Sequence, residues 1–338
     1  MNLRSIAAPV AIAAASLLSQ LGPLNAVAQT PSTDKPVTLK IIAFDGGWNL
    51  PIWAAQRQGF FADNKLAVEL SFAPNSGFLV SNLLAGKFDL AFASIDNVIA
   101  YQEGQGEAPV EKPDMFVFMG GDNGLLSVVT AAPVKRFADL KGKSLSVDAM
   151  TTGFAFVLRE AVSRNGLNEA DVKFVRAGGT ANRYNELVAG NNDGTLLRTP
   201  FDLLAGERGL NILASGEKLG VYQGTVGVAT RRWSEKNEGT LVSFIRAYRA
   251  GLDWLYEPKN RPIAEALLVA NIRDMTPALA KDALTQLLEH GLQRDGAIDV
   301  EGIRNVLALR SKYGLPQKSL SDPEKYLDRH YYERAAAK

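Results

Sequence analysis

The chain has 338 residues, with 37 Lys and Arg against 36 Asp and Glu and no cysteine. A formal charge near zero leaves no electrostatic footprint for nucleic acid, and no Lys/Arg block marks a membrane surface. The absence of Cys excludes disulfides, zinc-thiolate sites and cysteine nucleophiles, while the length suffices to bury a core without such staples.

The first 28 residues read as a cleavable signal peptide. Arg4 is the only charge before Asp34, residues 6–18 are almost unbroken Ala, Ile, Leu and Val, and Ala26-Val27-Ala28 places small residues at the minus-three and minus-one positions. The apolar run is short for a membrane anchor, which needs about 20 residues. Cleavage after Ala28 would leave 310 of the 338 residues, enough for two domains, with 36 basic and 36 acidic side chains.

Beyond that point strands and helices alternate. A strand over 39–44 ends in Asp45-Gly46-Gly47-Trp48-Asn49, and a helix opened by Leu50-Pro51 stops at Gly59. A second strand leads to Asn75-Ser76-Gly77, a helix ends at Ala85-Gly86, and Asp89 opens a strand that runs into Ser94. The same pattern recurs 104 residues later: Val68 matches Val172, Ala73 matches Ala177, Leu83 matches Leu187, Ala85 matches Ala189, Gly86 matches Gly190 and Asp89 matches Asp193. Glycine after each helix suits the left-handed conformation of a C-cap. Two α/β lobes of one topology follow. Between them lie strands at 115–121 and 125–131, then "FADLKGK" leading into "SLSVDA". After Gly224 comes one more strand, "TVGVAT", and then helices at 235–256, 262–270, 277–289, 300–313 and 323–335. These have no sheet of their own and are expected to cover the first lobe. The chain then crosses between lobes near 124–132 and near 222–230. Two crossings make a hinge, and the cleft between the lobes becomes the expected pocket. The expected division is 37–126 plus 227–338 for the first lobe and 127–226 for the second.

Catalytic constellations are scarce. His290 and His330 read as helix-end or surface residues. No metal-hydrolase, nucleophile-elbow or Cys–His pattern occurs, and no metal or cofactor is expected. Gly142-Lys143-Ser144 resembles the end of a phosphate loop, but Phe137 stands where its first glycine belongs, and the segment precedes a strand instead of following one. "FDGGWN" lacks the glycine spacing of a dinucleotide site. What remains is a set of loops at the carboxyl ends of strands, where helix N-termini and free N–H groups converge in open α/β sheets. Trp48, Asn49, Ser76, Gly77, Ser94, Asp96, Asn123, Thr151, Thr152, Thr180, Arg198 and Pro200 are the candidate ligand-binding residues. Helix capping accounts for any single Ser, Thr or Asn among them, and Trp48 serves equally well as a core aromatic. Arg198 is the expected cation for an anionic ligand, with a salt bridge to Asp202 or Glu207 as its structural alternative. Arg183, one turn into a helix, reads as solvated.

The segments "GGWNLPIWAAQRQGFFADNKLAVEL", "LLAGKFDLAFASIDNVIAYQEGQG", "FADLKGKSLSV", "GLNEADVKFV" and "LVAGNNDGTLLRTP" carry a resemblance. The chain resembles the periplasmic solute-binding proteins of ABC importers in the nitrate, sulfonate and taurine group, which have the type II periplasmic-binding fold. The likeness spans nearly all of the mature chain. It implies an α/β chain of two Rossmann-like lobes with a hinge, C-terminal helices packed on lobe 1, and capture of a solute by closure. By position it carries ligand contact to Trp48, Asn49, Ser76, Gly77, Ser94, Asp96, Thr151, Thr152, Arg198 and Pro200. The chain departs from the common pattern at Arg198-Thr199, where many relatives have an aromatic residue. The family also includes pyrimidine-precursor binders related to thiamine-biosynthesis proteins, whose cysteine-dependent iron chemistry this Cys-free chain cannot perform.

The resulting expectation is a monomeric periplasmic receptor that is not an enzyme and binds a small organic anion, such as a sulfonate or carboxylate. Trp48 or Phe154 would pack on the solute's carbon part, and the closed form would dock on a permease with its ATPase. One rival is an enzyme on the same fold, with Asp96, Asp122 or Lys143 as its base. The other is a binder that feeds a signalling receptor.

Overall fold

The alternating apolar runs form two five-stranded sheets in the computed structural model, which describes residues 35–338 apart from Lys112 and Lys338. The expected signal peptide lies outside the described residues. In chain order the elements are β1 (Val37–Ala43), α1 (Leu50–Gln58), the single turn α2 (Phe60–Asp63), β2 (Leu66–Phe72), α3 (Ser76–Leu84), β3 (Leu90–Ser94), α4 (Ile95–Gln102) and β4 (Met115–Gly120). The chain then crosses to β5 (Leu126–Thr130), β6 (Ser144–Val147), α5 (Gly153–Arg164), β7 (Lys173–Arg176), α6 (Thr180–Val188), β8 (Gly194–Arg198), α7 (Phe201–Glu207) and β9 (Asn211–Ser215). It returns in β10 (Thr225–Thr230) and ends in α8 (Arg231–Ser234), α9 (Glu238–Tyr256), α10 (Arg261–Asn271), α11 (Pro277–His290), α12 (Val300–Tyr313) and α13 (His330–Ala336).

The strand orders are β2-β1-β3-β10-β4 and β7-β6-β8-β5-β9. In each sheet the first three strands are parallel. The fourth, which has just arrived from the other sheet, is antiparallel to both neighbours. These are two α/β lobes of one topology. The 104-residue offset survives in three dimensions, since α3 and α6, and likewise β3 and β8, start and stop at matching positions. Gly86 and Gly190 adopt φ of +71° and +75°, which an L side chain would strain. The repeated aspartates explain themselves as well. Asp89 Oδ2 accepts from the Lys40 N–H at 2.8 Å, and Asp193 Oδ2 accepts from the Ser144 N–H at 2.9 Å. Each ties the strand it precedes to the neighbouring strand of its own lobe.

The C-terminal helices cover the first sheet. α9 packs on α1 and α2, and its Phe244 and Tyr248 meet Phe92 with ring centres 5.9 and 5.4 Å apart. Each such buried ring contributes about 2–3 kcal/mol of transfer free energy. The last helix starts later than the sequence pattern suggests, at His330 and not near 323. Glu324–Tyr326 form only a 3-10 turn; Leu327 then pairs with Val117 on the edge strand β4, and the Asp328 N–H donates to the Val117 carbonyl at 2.9 Å, so the chain is extended there. Two helices also reach the second lobe: α12 lies against both α4 and α5, and α11 touches α7. An apolar cluster joins Leu284 and Leu287 of α11 to Tyr184, Leu197 and Phe201.

Candidate functional site

The carboxyl ends of β1, β2 and β3 and of β6, β7 and β8, with the segments that follow them, converge on one cavity between the lobes. Its volume is about 30 Å³, room for two or three waters. Phe44, Ser76, Ser94 and Asp96 line it from the first lobe, and Asp148, Phe154, Thr180, Arg183 and Arg198 from the second.

The lobes are closed on one another by contacts in which each offers a carboxylate to a helix start of the other. Ser76, at the head of α3, donates its backbone N–H at 3.2 Å and its hydroxyl to Asp148 Oδ2. Gly153, at the head of α5, donates its N–H to Asp96 Oδ2 at 2.6 Å. Both arrangements place negative charge at a positive helix terminus. Farther out, Glu107 accepts from the Thr151 N–H at 3.1 Å and from the Thr151 hydroxyl, and it pairs with Arg176. The Gly179 N–H donates to the Pro74 carbonyl at 2.9 Å.

Three buried arginines surround this junction, and their partners differ. Arg310, from α12, grips Asp96 with Nε–Oδ1 at 2.5 Å and Nη2–Oδ2 at 2.9 Å, and donates to the Thr151 carbonyl at 2.7 Å. Arg198 donates to Asp122 Oδ1 at 2.7 Å, to the Gly124 carbonyl at 2.7 Å and to Thr225 Oγ1 at 3.1 Å. It thereby touches both crossing segments. Its guanidinium also lies 3.8 Å from the centre of the Trp48 ring, close enough for a cation–π contact. Arg183 is 2% exposed and donates to the Gly178 and Leu196 carbonyls and to Thr180 Oγ1. Among the described residues no carboxylate lies within ion-pair distance of it. Burial pulls its pKa down to about 10; Asp148 opposes that shift and Arg198 adds to it. Burial also raises the Asp148 carboxyl, against the pull of Arg183 and the Ser76 hydrogen bonds.

A family model for proteins described as "NMT1/THI5 like" matches residues 49–261, more than half of the chain. The chain belongs to the NMT1/THI5-like family. A Bacillus subtilis relative, YtlA, whose name says no more than a binding protein, is 25% identical over 224 residues; that match covers 64% of this chain and 65% of YtlA. A solved structure from Bordetella bronchiseptica RB50 has a TM-score of 0.73 at 21% identity, covering 89% of this chain and 97% of its own. The alkanesulfonate-binding protein SsuA from Xanthomonas axonopodis pv. citri, solved bound to MOPS, has a TM-score of 0.68 at 17% identity, covering 85% and 97%. The fold is that of the periplasmic binding proteins, in agreement with the resemblance read from the residues.

Six of the twelve candidate residues line the cavity of this NMT1/THI5-like protein: Ser76, Ser94, Asp96, Thr152, Thr180 and Arg198. Gly77 lies in an adjoining groove with Glu107 and Arg176, and Thr151 contacts Glu107 at its edge. Trp48, Asn49 and Pro200 sit behind the lining. Trp48 Nε1 donates to the Phe44 carbonyl at 3.1 Å, and Asn49 Nδ2 donates to the same carbonyl at 2.7 Å and to the Gly46 carbonyl at 3.0 Å. Asn49 therefore ties the loop instead of capping α1 through its side chain. Pro200 packs over Gly47. Asn123 lines a second cavity, of about 640 Å³, along the crossing segments, and donates to the His290 carbonyl at 2.6 Å. The expected free cation, Arg198, is committed to Asp122 and to neither Asp202 nor Glu207. Sequence reasoning missed Arg183 and Asp148. Each of the three residues weighed as an enzymic base is held in an ion pair: Asp96 with Arg310, Asp122 with Arg198 and Lys143 with Asp193.

Proposed function

We propose that this NMT1/THI5-like protein is the solute-binding component of an ABC importer, working in the periplasm and delivering its solute to a permease and its ATPase. A small organic anion, sulfonate- or carboxylate-like, enters between a lobe of residues 37–126 plus 227–338 and a lobe of residues 127–226, and the lobes close on it. The carrying observation is Arg183: a buried guanidinium that lines the inter-lobe cavity and has, among the described residues, no carboxylate within ion-pair distance. A desolvated cation of this kind gains most from an anion supplied from outside. Phe44 and Phe154, on opposite walls, suit the carbon part. SsuA, with the same fold, is named as an alkanesulfonate binder, which supports the solute class. Asp96, Asp122 and Lys143, the three residues weighed as an enzymic base, are each tied up in an ion pair, which is in keeping with a receptor role.

Isothermal titration with ethanesulfonate, acetate and nitrate, alongside small-angle scattering, tests the reading. Binding of at least one probe is expected, with Arg183→Gln weakening it by about 10- to 100-fold through loss of one charged hydrogen bond. Failure of all three probes to bind, with lobe separation unchanged, would sink it.

A further inference from the structure

The offset that relates the lobes also relates two positions facing each other across the cavity. Phe44 follows β1, and Asp148, 104 residues on, follows β6. Each reaches the helix start of the opposite lobe. The Phe44 ring lies against Gly179, just ahead of α6. Asp148 accepts from Ser76 at the head of α3. A helix N-terminus favours an anion, and at α3 the protein supplies its own.

The second Asp148 oxygen carries the inference further. Oδ1 is buried without a hydrogen-bond partner, on a residue only 6% exposed that lines the cavity. Arg183 has the complementary surplus. Its four hydrogen bonds leave one Nη1 N–H without an acceptor among the described residues. The other lining charges are paired off, Asp96 with Arg310 and Arg198 with Asp122. Glu107, the other carboxylate near Asp148, is taken up by Thr151 and Arg176 and adds to the negative potential there. The cavity therefore presents one unsatisfied donor on a cation, Arg183, and one unsatisfied acceptor on a carboxyl, Asp148, whose charges also act on each other.

We propose that Asp148 is a specificity-determining residue: the cleft takes a solute with a single anionic group, held at Arg183, and Asp148 excludes solutes that carry a second. The proposal rests on the solute-binding reading above. A second sulfonate or carboxylate against Oδ1 would place like charges together in a desolvated site, which weakens binding on the order of 100-fold.

Calorimetry with matched probes decides it: ethanesulfonate against ethane-1,2-disulfonate, and propanoate against succinate, on the full chain, on Asp148→Asn and on Ser76→Ala. The unsubstituted protein is expected to prefer each monoanion by about 30-fold or more, and Asp148→Asn to shrink that gap by about 10-fold by strengthening the dianion. Ser76→Ala keeps the Asp148 charge and is expected to keep the gap. Circular dichroism confirms that each variant is folded. An unchanged gap in Asp148→Asn, equal weakening of both probes there, or the same loss of selectivity in Ser76→Ala overturns the proposal. Dianions bound as tightly as monoanions by the unsubstituted protein overturn it while leaving solute binding intact. If no probe binds any of the three proteins, the solute-binding reading fails and this proposal fails with it.

Discussion

Replacing Arg310 by Met strands a carboxylate. Asp96 is 1% exposed and Arg310 fully buried, so neither can turn to water without moving α12. The substitution removes the bonds to Asp96 at 2.5 and 2.9 Å, to the Thr151 carbonyl at 2.7 Å and to Gln105 Oε1 at 3.2 Å. Asp96 keeps only the Gly153 N–H at 2.6 Å. Breaking a buried pair from one side costs about 3–5 kcal/mol, because the charge left behind has lost both its water and its partner. In a chain of this size that is a fall in Tm of roughly 5–8 °C. Urea titration followed by circular dichroism, with thermal scans in parallel, measures it. Adding Asp96→Asn to Arg310→Met should recover most of the loss, since an amide in place of the carboxylate removes the stranded charge. A single-variant cost below about 1 kcal/mol, or a double variant whose losses simply add, would refute the account of Arg310 as a charge partner.

Arg198→Lys should cost about 2–4 kcal/mol in urea unfolding, because an ammonium cannot serve Asp122, the Gly124 carbonyl and Thr225 together as the planar fork does. Gly153→Val should hold the lobes apart: a Cβ there would meet Asp96 Cγ at 2.3 Å and the Tyr222 hydroxyl at 2.5 Å, so scattering should report a larger radius of gyration with helix content unchanged. Glu160 gives a pH signature. Burial alone would raise its pKa, but hydrogen bonds from Lys312, Tyr313 and Arg164 hold it down at about 2, below the ordinary 4.5. The α5–α12 contact it makes is therefore stabilised above pH 4.5 and loses that support as pH falls through about 2. Hydrogen exchange along α12 should quicken over that window, and Glu160→Gln should abolish the pH dependence.

The lobes were legible because their determinants are local. A strand, a Ser- or Thr-headed helix, a glycine cap and an aspartate that pins the next strand all lie within about 30 residues, so a duplicated unit leaves matching letters 104 positions apart. The cleft was harder to read because its chemistry pairs distant residues. Arg183 looked like a solvent-facing helix residue. Its acceptors are mainly carbonyls of Gly178 and Leu196, and a backbone carbonyl leaves no mark in the side-chain sequence. Asp148 read as the tail of the strand "SLSVDA", and its counterpart at the repeat spacing, Phe44, shares none of its chemistry. Arg310 stands in the last turn of a helix that looks merely amphipathic, 214 positions from the aspartate it neutralises.

The position of Arg198 governs how any relative rotation of the lobes would feel its contacts. A rotation moves an atom in proportion to its distance from the axis, and the axis must pass near the two segments that join the lobes. Arg198 bonds to both, at Gly124 and Thr225, so in such a rotation it would act as a pivot bearing: a swing of several degrees would leave its hydrogen bonds nearly unchanged. The Glu107–Thr151 and Pro74–Gly179 contacts are made by loops other than the crossing segments, and the same swing would part them. Opening would have to break these bonds together with the buried Gly153–Asp96 and Ser76–Asp148 bonds, while the ion pair of Arg198 with Asp122 would hold the axis in place.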